Sequence, residues 1–501
     1  MRATQKTSRD AWARNRERQR SDGSMTPEQF RQAGHELIDW IADYRQRIPE
    51  LPVRAQVQPG GVRAALPSRP PAGVDAFSTL LADLDRVIVP GITQVQHPMH
   101  YGWFPSNAAL ASVLGDIASS GMGTLGISWE SCPALTELEE VVCDWMRQLT
   151  GLSDAWHGTI HDTASTACLT AMILARERAS GMSKNGAGLV GMTTALIVYS
   201  TAQAHSSIAK AVQLAGFGND NLRFIAEDPY TRAMLPEALA TAIEQDLAAG
   251  NIPAGIVCSV GATGTTAIDP VGAIAAIAGK HGIWLHVDAA MAGSAMLLPE
   301  YRHLWQGVEL ADSLAWNPHK WMGTILDTAL FYVRDVAHLE QVMSTNPAYL
   351  RSDADGQVTQ YCDWGIPLGR RFRALKLWFH LRLDGVAAIQ QRLRRDLDNA
   401  QWLKQQIQAT DGWEVLAPVP LQTLCIRHIP TDSRGEALAG AALDAHTLEW
   451  AGRINSSGAA FLSPSLLDGR WMVRVSIGVE DTTRKHVAQL WELLQQTTRE
   501  T

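Results

Sequence analysis

Between about Tyr101 and Leu383 the chain alternates short, mostly apolar runs with longer stretches whose apolar residues recur at helical spacing. Ala195–Tyr199, Gly255–Ser259, Ile283–Val287 and Leu330–Val333 are runs of the first kind, whereas Leu169–Ala179 and Val271–Gly282 are of the second. A strand that is apolar throughout is buried on both faces. The alternation therefore predicts an α/β fold, a mostly parallel sheet with helices on either side. Ligands of such sheets bind beyond the C-terminal ends of the strands.

The texture changes on both flanks. Thr26-Pro27-Glu28-Gln29 reads as a cap, a first-turn proline and an acidic start, followed by Phe30, Leu37, Ile38, Ile41 and Tyr44 at helical spacing. Residues 52–74, rich in Pro and Gly, lead to a second helical stretch near Phe77–Val89. This flank has too little apolar content for a core of its own, and a second subunit is its expected partner. Past residue 390 a long helix (Arg392–Thr410), strands near Leu421–Cys425 and Trp471–Val475, and a final helix (Arg484–Gln496) predict a small α+β domain. The expected division is an extension over 1–24, a helical arm over 25–100, a large domain over 101–390 and a small one over 391–501.

Composition narrows the function class. A length of 501 residues with 46% hydrophobic content supports a large core plus a satellite. With 19% charged residues and a net charge of −8, nucleic acid is not the expected main partner; a cytoplasmic enzyme is. Cys132, Cys143, Cys168, Cys258, Cys362 and Cys425 are scattered without CxxC spacing, so neither a metal cluster nor a disulfide framework is expected. No apolar run approaches the ~20 residues of a membrane span. Residues 1–24 carry Arg9, Arg14, Arg16, Arg18 and Arg20 with almost nothing to bury. They read as a disordered extension upstream of a start at Met25, the other reading being a targeting or RNA-binding arm.

Two residues bring chemistry into this frame. Asp288 ends the run Ile283–Val287, and Lys320 follows in Leu314-Ala315-Trp316-Asn317-Pro318-His319-Lys320-Trp321. Either alone has an ordinary explanation, a helix-start cap for the aspartate or a solvated amine for the lysine. Together at strand ends they match what pyridoxal phosphate needs: an amine for a Schiff base and a carboxylate to keep the pyridine nitrogen protonated. His161-Asp162-Thr163-Ala164-Ser165-Thr166-Ala167, ahead of a helix over Cys168–Arg178, offers hydroxyls and backbone N–H groups to a phosphate, although Ser/Thr caps are common. Gln203-Ala204-His205-Ser206-Ser207 follows another strand and could lay an imidazole on a flat ring, although a lone histidine is more often structural.

These segments, with Ser128-Trp129-Glu130-Ser131-Cys132-Pro133-Ala134 and Ile366-Pro367-Leu368-Gly369-Arg370-Arg371-Phe372-Arg373, resemble the signature segments of the group II pyridoxal-phosphate decarboxylases. The likeness runs from about Met25 to the C-terminus and is greatest to bacterial aromatic-L-amino-acid decarboxylases. It implies the fold-type I PLP-dependent transferase-like fold and a homodimer with active sites at the subunit interface. It further implies that Lys320 holds the cofactor, Asp288 pairs with the ring nitrogen, and His205 stacks on the ring. Thr163, Ala164, Ser165, Asn317 and His319 would hold the phosphate, with Thr263 and Ala290 lining the ring. Trp103, Ser106, Leu125, Ile127 and Gly369 would meet the substrate, Ile127 from the partner subunit, and Arg474 would meet its carboxylate. Tyr349, in the polar, Pro-broken stretch Ser344–Asp353, would be the lid tyrosine that reprotonates the substrate carbon.

The implied reaction is loss of CO2 from an aromatic L-amino acid, of the DOPA, tryptophan, tyrosine or phenylalanine class. Trp103, Val95, Ile127 and Cys362 depart from the animal enzymes of this family and leave the choice among these open. The alternatives are an aldehyde synthase, in which oxygen takes the carbanion, or another amino-acid decarboxylase of the group. Tyr349 favours the amine-forming route over the first. A cysteine desulfurase would need a nucleophilic Cys in the stretch around Tyr349, which has none.

Overall fold

The computed structural model describes residues 24–189, 191–345, 354, 356–431 and 433–499, in two compact units, 1–94 and 95–501. In the first, the helix Pro27–Arg47 starts at the expected place. Thr26 Oγ1 accepts from Gln29 N–H (3.2 Å) and Gln29 Oε1 accepts from Thr26 N–H (2.8 Å), a reciprocal capping box. None of this helix's 21 residues is buried. The second stretch is a short helix, Phe77–Asp83, running into a π turn over Leu84–Ile88.

The second unit holds a seven-stranded sheet. Its strands are β1 His157–His161, β2 Leu196–Ser200, β3 Leu222–Phe224, β4 Ile252–Ser259, β5 Trp284–Asp288, β6 Ser313–Trp316 and β7 Ala329–Val333, in the order β1-β7-β6-β5-β4-β2-β3. Every neighbouring pair is parallel except those involving β7. Alternate side chains feed two cores. Leu196, Val198, Trp284, Phe331 and Val333 join the core under the helix Ala164–Ala179, whereas Ile197, Tyr199, Leu285, Leu330 and Tyr332 join the core under Val271–His281. This two-sided burial is why these strands read as unbroken apolar runs.

A four-stranded antiparallel sheet, order β10-β11-β9-β8, follows: β8 Trp413–Val415, β9 Thr423–His428, β10 Ser463–Leu467 and β11 Arg470–Ser476. Leu424, Ile426, Val473 and Val475 pack there with Trp450, Leu490 and Leu494 from the helices Gly440–Ser457 and Arg484–Arg499.

Three local readings move. The helix expected from Cys168 begins at Ala164, because Thr163 is the extended residue (φ −139°, ψ 160°) and Ala164 and Ala167 already pack inside. The helix expected from Arg392 begins at Val386, where Gly385 at φ +80° turns the chain out of the preceding helix. Lys320 lies in the turn after β6 rather than on the strand.

Candidate active site

The strand ends converge. Asp288 closes β5 in register with Ala315 of β6 and Ser259 of β4. The chain leaving β6 is pinned at once, as Asn317 N–H donates to Ala290 C=O (2.9 Å) and Lys320 N–H to Asn317 C=O (3.0 Å). Asp288 and Lys320 therefore reach one cavity, of about 170 Å³, from adjacent strands. The rest of its wall comes from the start of Ala164–Ala179 (Thr163, Ala164, Ser165), from His205 and Ser207 after β2, and from Gly261–Thr263 after β4. Gly261 sits at φ +84°, where a Cβ would stand 2.7 Å from the Ala292 Cβ, so the loop's close approach requires glycine.

All ten residues expected to hold the cofactor line this cavity: Thr163, Ala164, Ser165, His205, Thr263, Asp288, Ala290, Asn317, His319 and Lys320. Burial, with the charge of Arg474 added, pulls the Lys320 amine below its ordinary value, and Asp288 opposes the shift. His319 Nδ1 accepts from the Thr328 N–H (2.9 Å), which puts the ring proton on Nε2, and burial holds its pKa down to about 4. His205 is fixed similarly. Its Nδ1 accepts from Ser207 N–H (3.1 Å) and lies 2.7 Å from Ser207 Oγ, and burial lowers its pKa, with Lys320 adding to the effect. One Asp288 oxygen accepts from Ala290 N–H (3.0 Å).

These groups fit pyridoxal phosphate. The N-terminal N–H groups of a 16-residue helix and the His319 Nε2–H are donors that suit a phosphate. The floor offers a carboxylate and an amine for the ring.

Arg474, on β11, adds a substrate feature. It is 6% exposed, and its Nε and Nη2, the two donors of one guanidinium edge, have no partner among the described residues. A guanidinium with a free two-donor edge is built for a carboxylate. The Phe104 ring lies beside both cations, 4.8 Å from the guanidinium carbon and 5.4 Å from Lys320 Nζ.

The other expected substrate contacts are arranged differently. Ser106 is half-buried, its carbonyl accepting from Gln96 Nε2 at 2.6 Å. Trp103 is 52% exposed at φ +52°, held by its N–H to Ser463 Oγ (2.7 Å) and by the Phe461 ring at 4.8 Å. None of the six expected substrate residues, Trp103, Ser106, Leu125, Ile127, Gly369 and Arg474, is in the cavity lining itself; Arg474 approaches it through the Phe104 ring. A backbone bridge between Gly126 and Arg370 (3.2 and 2.9 Å) joins their segments, with Leu125 and Gly369 exposed. Tyr349 lies outside the described residues. Sequence patterns did not single out Phe104, Ser207 or Gly261; Phe104 lies between Trp103 and Ser106, Ser207 closes the segment around His205, and Gly261 had no local signal beyond its residue type.

Residues 59–429 match the family described as pyridoxal-dependent decarboxylase conserved domain. The chain is 39% identical to tryptophan decarboxylase 2 of Oryza sativa subsp. japonica, over 94% of each chain. It is 38% identical to phenylacetaldehyde synthase of Arabidopsis thaliana, over 94% of this chain and 96% of that one. A crystal structure of Oryza sativa TDC with PLP and tryptamine superposes with a TM-score of 0.91 at 34% identity, covering 95% of this chain and 99% of that one.

Proposed function

Because the chain belongs to the pyridoxal-dependent decarboxylase family, we propose that it is a carboxy-lyase for aromatic L-amino acids, releasing CO2 and the aromatic amine. The cofactor is pyridoxal 5'-phosphate. The observation that carries the reading is Arg474, open along one edge among the described residues and sharing the Phe104 ring with the Lys320 amine. An α-amino acid carries its carboxylate and amine on one carbon, so its site needs a carboxylate clamp and an amine exchanger close together, beside a ring that a flat side chain can meet. The name of the rice relative, a tryptophan decarboxylase, supports the aromatic class.

When bound, pyridoxal phosphate supplies an electron sink for the pair left on Cα as CO2 departs. Lys320 would hold it and later release the amine product. A lowered pKa keeps more of its amine unprotonated, hence nucleophilic. Asp288 would hold a proton on the ring nitrogen. His319 Nε2–H, Asn317 and the N–H groups after Thr163 would hold the phosphate, and His205, neutral with its proton on Nε2, would lie on the ring. Arg474 would orient the carboxylate, and Tyr349 would deliver the proton to Cα.

We place the enzyme in the cytoplasm as a homodimer. None of its six cysteines is joined in a disulfide, which suits a reducing compartment, and no helix among the described residues is long and apolar enough to cross a membrane. The helix Leu110–Met122 exposes Leu110, Leu114, Ile117 and Met122. That apolar face supports a second copy as its cover, with Leu125 and Ile127 then reaching the partner's cavity.

The Arabidopsis relative's name gives the second reading, in which O2 takes the carbanion electrons and the products are aldehyde, CO2, ammonia and peroxide. Product analysis of the wild type and Tyr349→Phe separates the two. Wild type should give one amine per CO2. The variant should lose amine formation by ~10²–10⁴, typical of removing a general acid, with aldehyde and peroxide appearing. Aldehyde as the main wild-type product would contradict the amine-forming reading.

A further inference from the structure

The turn that carries Lys320 is gripped from behind by one helix. Val386–Gln408 presents Arg392 and Asp396 one turn apart, on the same face. Arg392 donates to the carbonyls of Trp321 (2.8 Å) and Met322, the two residues after Lys320. Asp396, with no exposed surface, accepts at Oδ2 from the Trp321 indole N–H (3.0 Å). Its charge is met by Arg392 (3.6 Å) and Arg395 (3.2 Å), and Arg395 also donates to the Glu480 carbonyl (2.7 Å).

The wholly buried Trp321 ring is a junction. Around Gly478, just past β11, the space a Cβ would need is taken by Pro105 Cγ (2.5 Å) and Trp321 Cδ1 (2.9 Å). The indole therefore packs against the chain leaving the strand that carries Arg474, at the same glycine that Pro105, next to Phe104, packs against, while its own backbone carries Lys320. A ring held only by packing can rotate and shift. A ring whose N–H is tied to a fixed carboxylate cannot, and burying a carboxylate is costly unless its partners are exact in number and placement.

We propose that Asp396 is a positioning residue for the active site, locking the Trp321 indole and thereby setting the spacing among the Lys320 amine, the Phe104 wall and the Arg474 guanidinium. The proposal rests on the reading of Lys320 as the residue that holds the cofactor.

The test uses full-length holoenzyme. Trp321→Phe keeps the ring and leaves Asp396 paired with both arginines. Asp396→Leu removes the acceptor, and Asp396→Asn keeps an oxygen that can accept. The expected results for Trp321→Phe and Asp396→Leu are a kcat per bound cofactor lowered about tenfold to a hundredfold, the loss typical of small misplacement, with a smaller change in KM. In the absence of substrate, the pH midpoint of the visible cofactor band should also shift. Asp396→Asn should recover part of both. A Trp321→Phe enzyme with wild-type kcat per bound cofactor and an unshifted midpoint, even with a lower melting temperature, would overturn the proposal and leave Asp396 a structural residue. If Asp396→Leu does not fold, Trp321→Phe decides alone. Failure of the premise looks different: Lys320→Ala would then keep the visible band that the wild type shows.

Discussion

At the scale of single residues, the site depends on a few groups whose ordinary chemistry is altered by where they sit. Lys320 is drawn toward neutrality by burial, and Lys320→Ala should abolish the visible absorbance of the holoenzyme together with turnover, checked by spectrophotometry and CO2 release. Asp288→Asn should keep the cofactor but lose turnover by at least about a hundredfold, comparable to removing one preorganised electrostatic group; near-normal turnover would refute its role at the ring nitrogen. Arg474→Lys keeps the charge but loses the two-donor edge. Hydrogen bonds to charged groups are worth about 1.5–3 kcal/mol, so steady-state kinetics should show KM raised about tenfold to a hundredfold, with less change in kcat. An unchanged KM would move the carboxylate elsewhere.

Between secondary-structure elements, the informative comparison is between what periodicity revealed and what it hid. The buried strands β2, β4, β5 and β7 were legible as apolar runs because both their faces meet helices. The start of Ala164–Ala179 was not. Its first turn is made of small residues, and the helix buries residues on several sides, from Ala164 and Ala167 to Leu174 and Glu177, which erases any stripe. Lys320, Asp288, His205 and Thr163 could be named because their motifs are local. Phe104 and Asp396 act through contacts across hundreds or tens of positions, Arg474 with Phe104 and Asp396 with Trp321, and no local spacing announces such contacts. The exposed face of Leu110–Met122 lies between the two cases. Ile117→Asp puts a charge on it, and sedimentation should then show monomer where the wild type shows dimer, with activity falling in parallel. An Ile117→Asp protein that stays dimeric would remove this helix from the interface.

For the whole molecule, buried titratable groups set how the fold answers pH. His100, His161, His286 and His319 are buried and have pKa values lowered to about 4 by desolvation, against an ordinary value of 6.5. Between those values the unfolded chain binds more protons, so these four make stability fall as pH falls. Asp269 and Asp396, raised to about 6 by burial, bind protons in the folded state first and act in the opposite direction over part of the same window. The four imidazoles outnumber the two carboxyls. The melting temperature should therefore drop by several degrees between pH 7 and pH 5 in calorimetry, and a flat or rising profile would contradict this balance.

The central claim is that this cavity removes CO2 from aromatic L-amino acids. Its most direct test is initial-rate CO2 release, with product identification, from L-DOPA, tryptophan, 5-hydroxytryptophan, tyrosine, phenylalanine, histidine and glutamate, run alongside Lys320→Ala. The account predicts one or more aromatic substrates turned over to the corresponding amine, little with glutamate, and none with the Lys320→Ala protein. Preferential turnover of glutamate, or aromatic turnover that survives loss of Lys320, would contradict it.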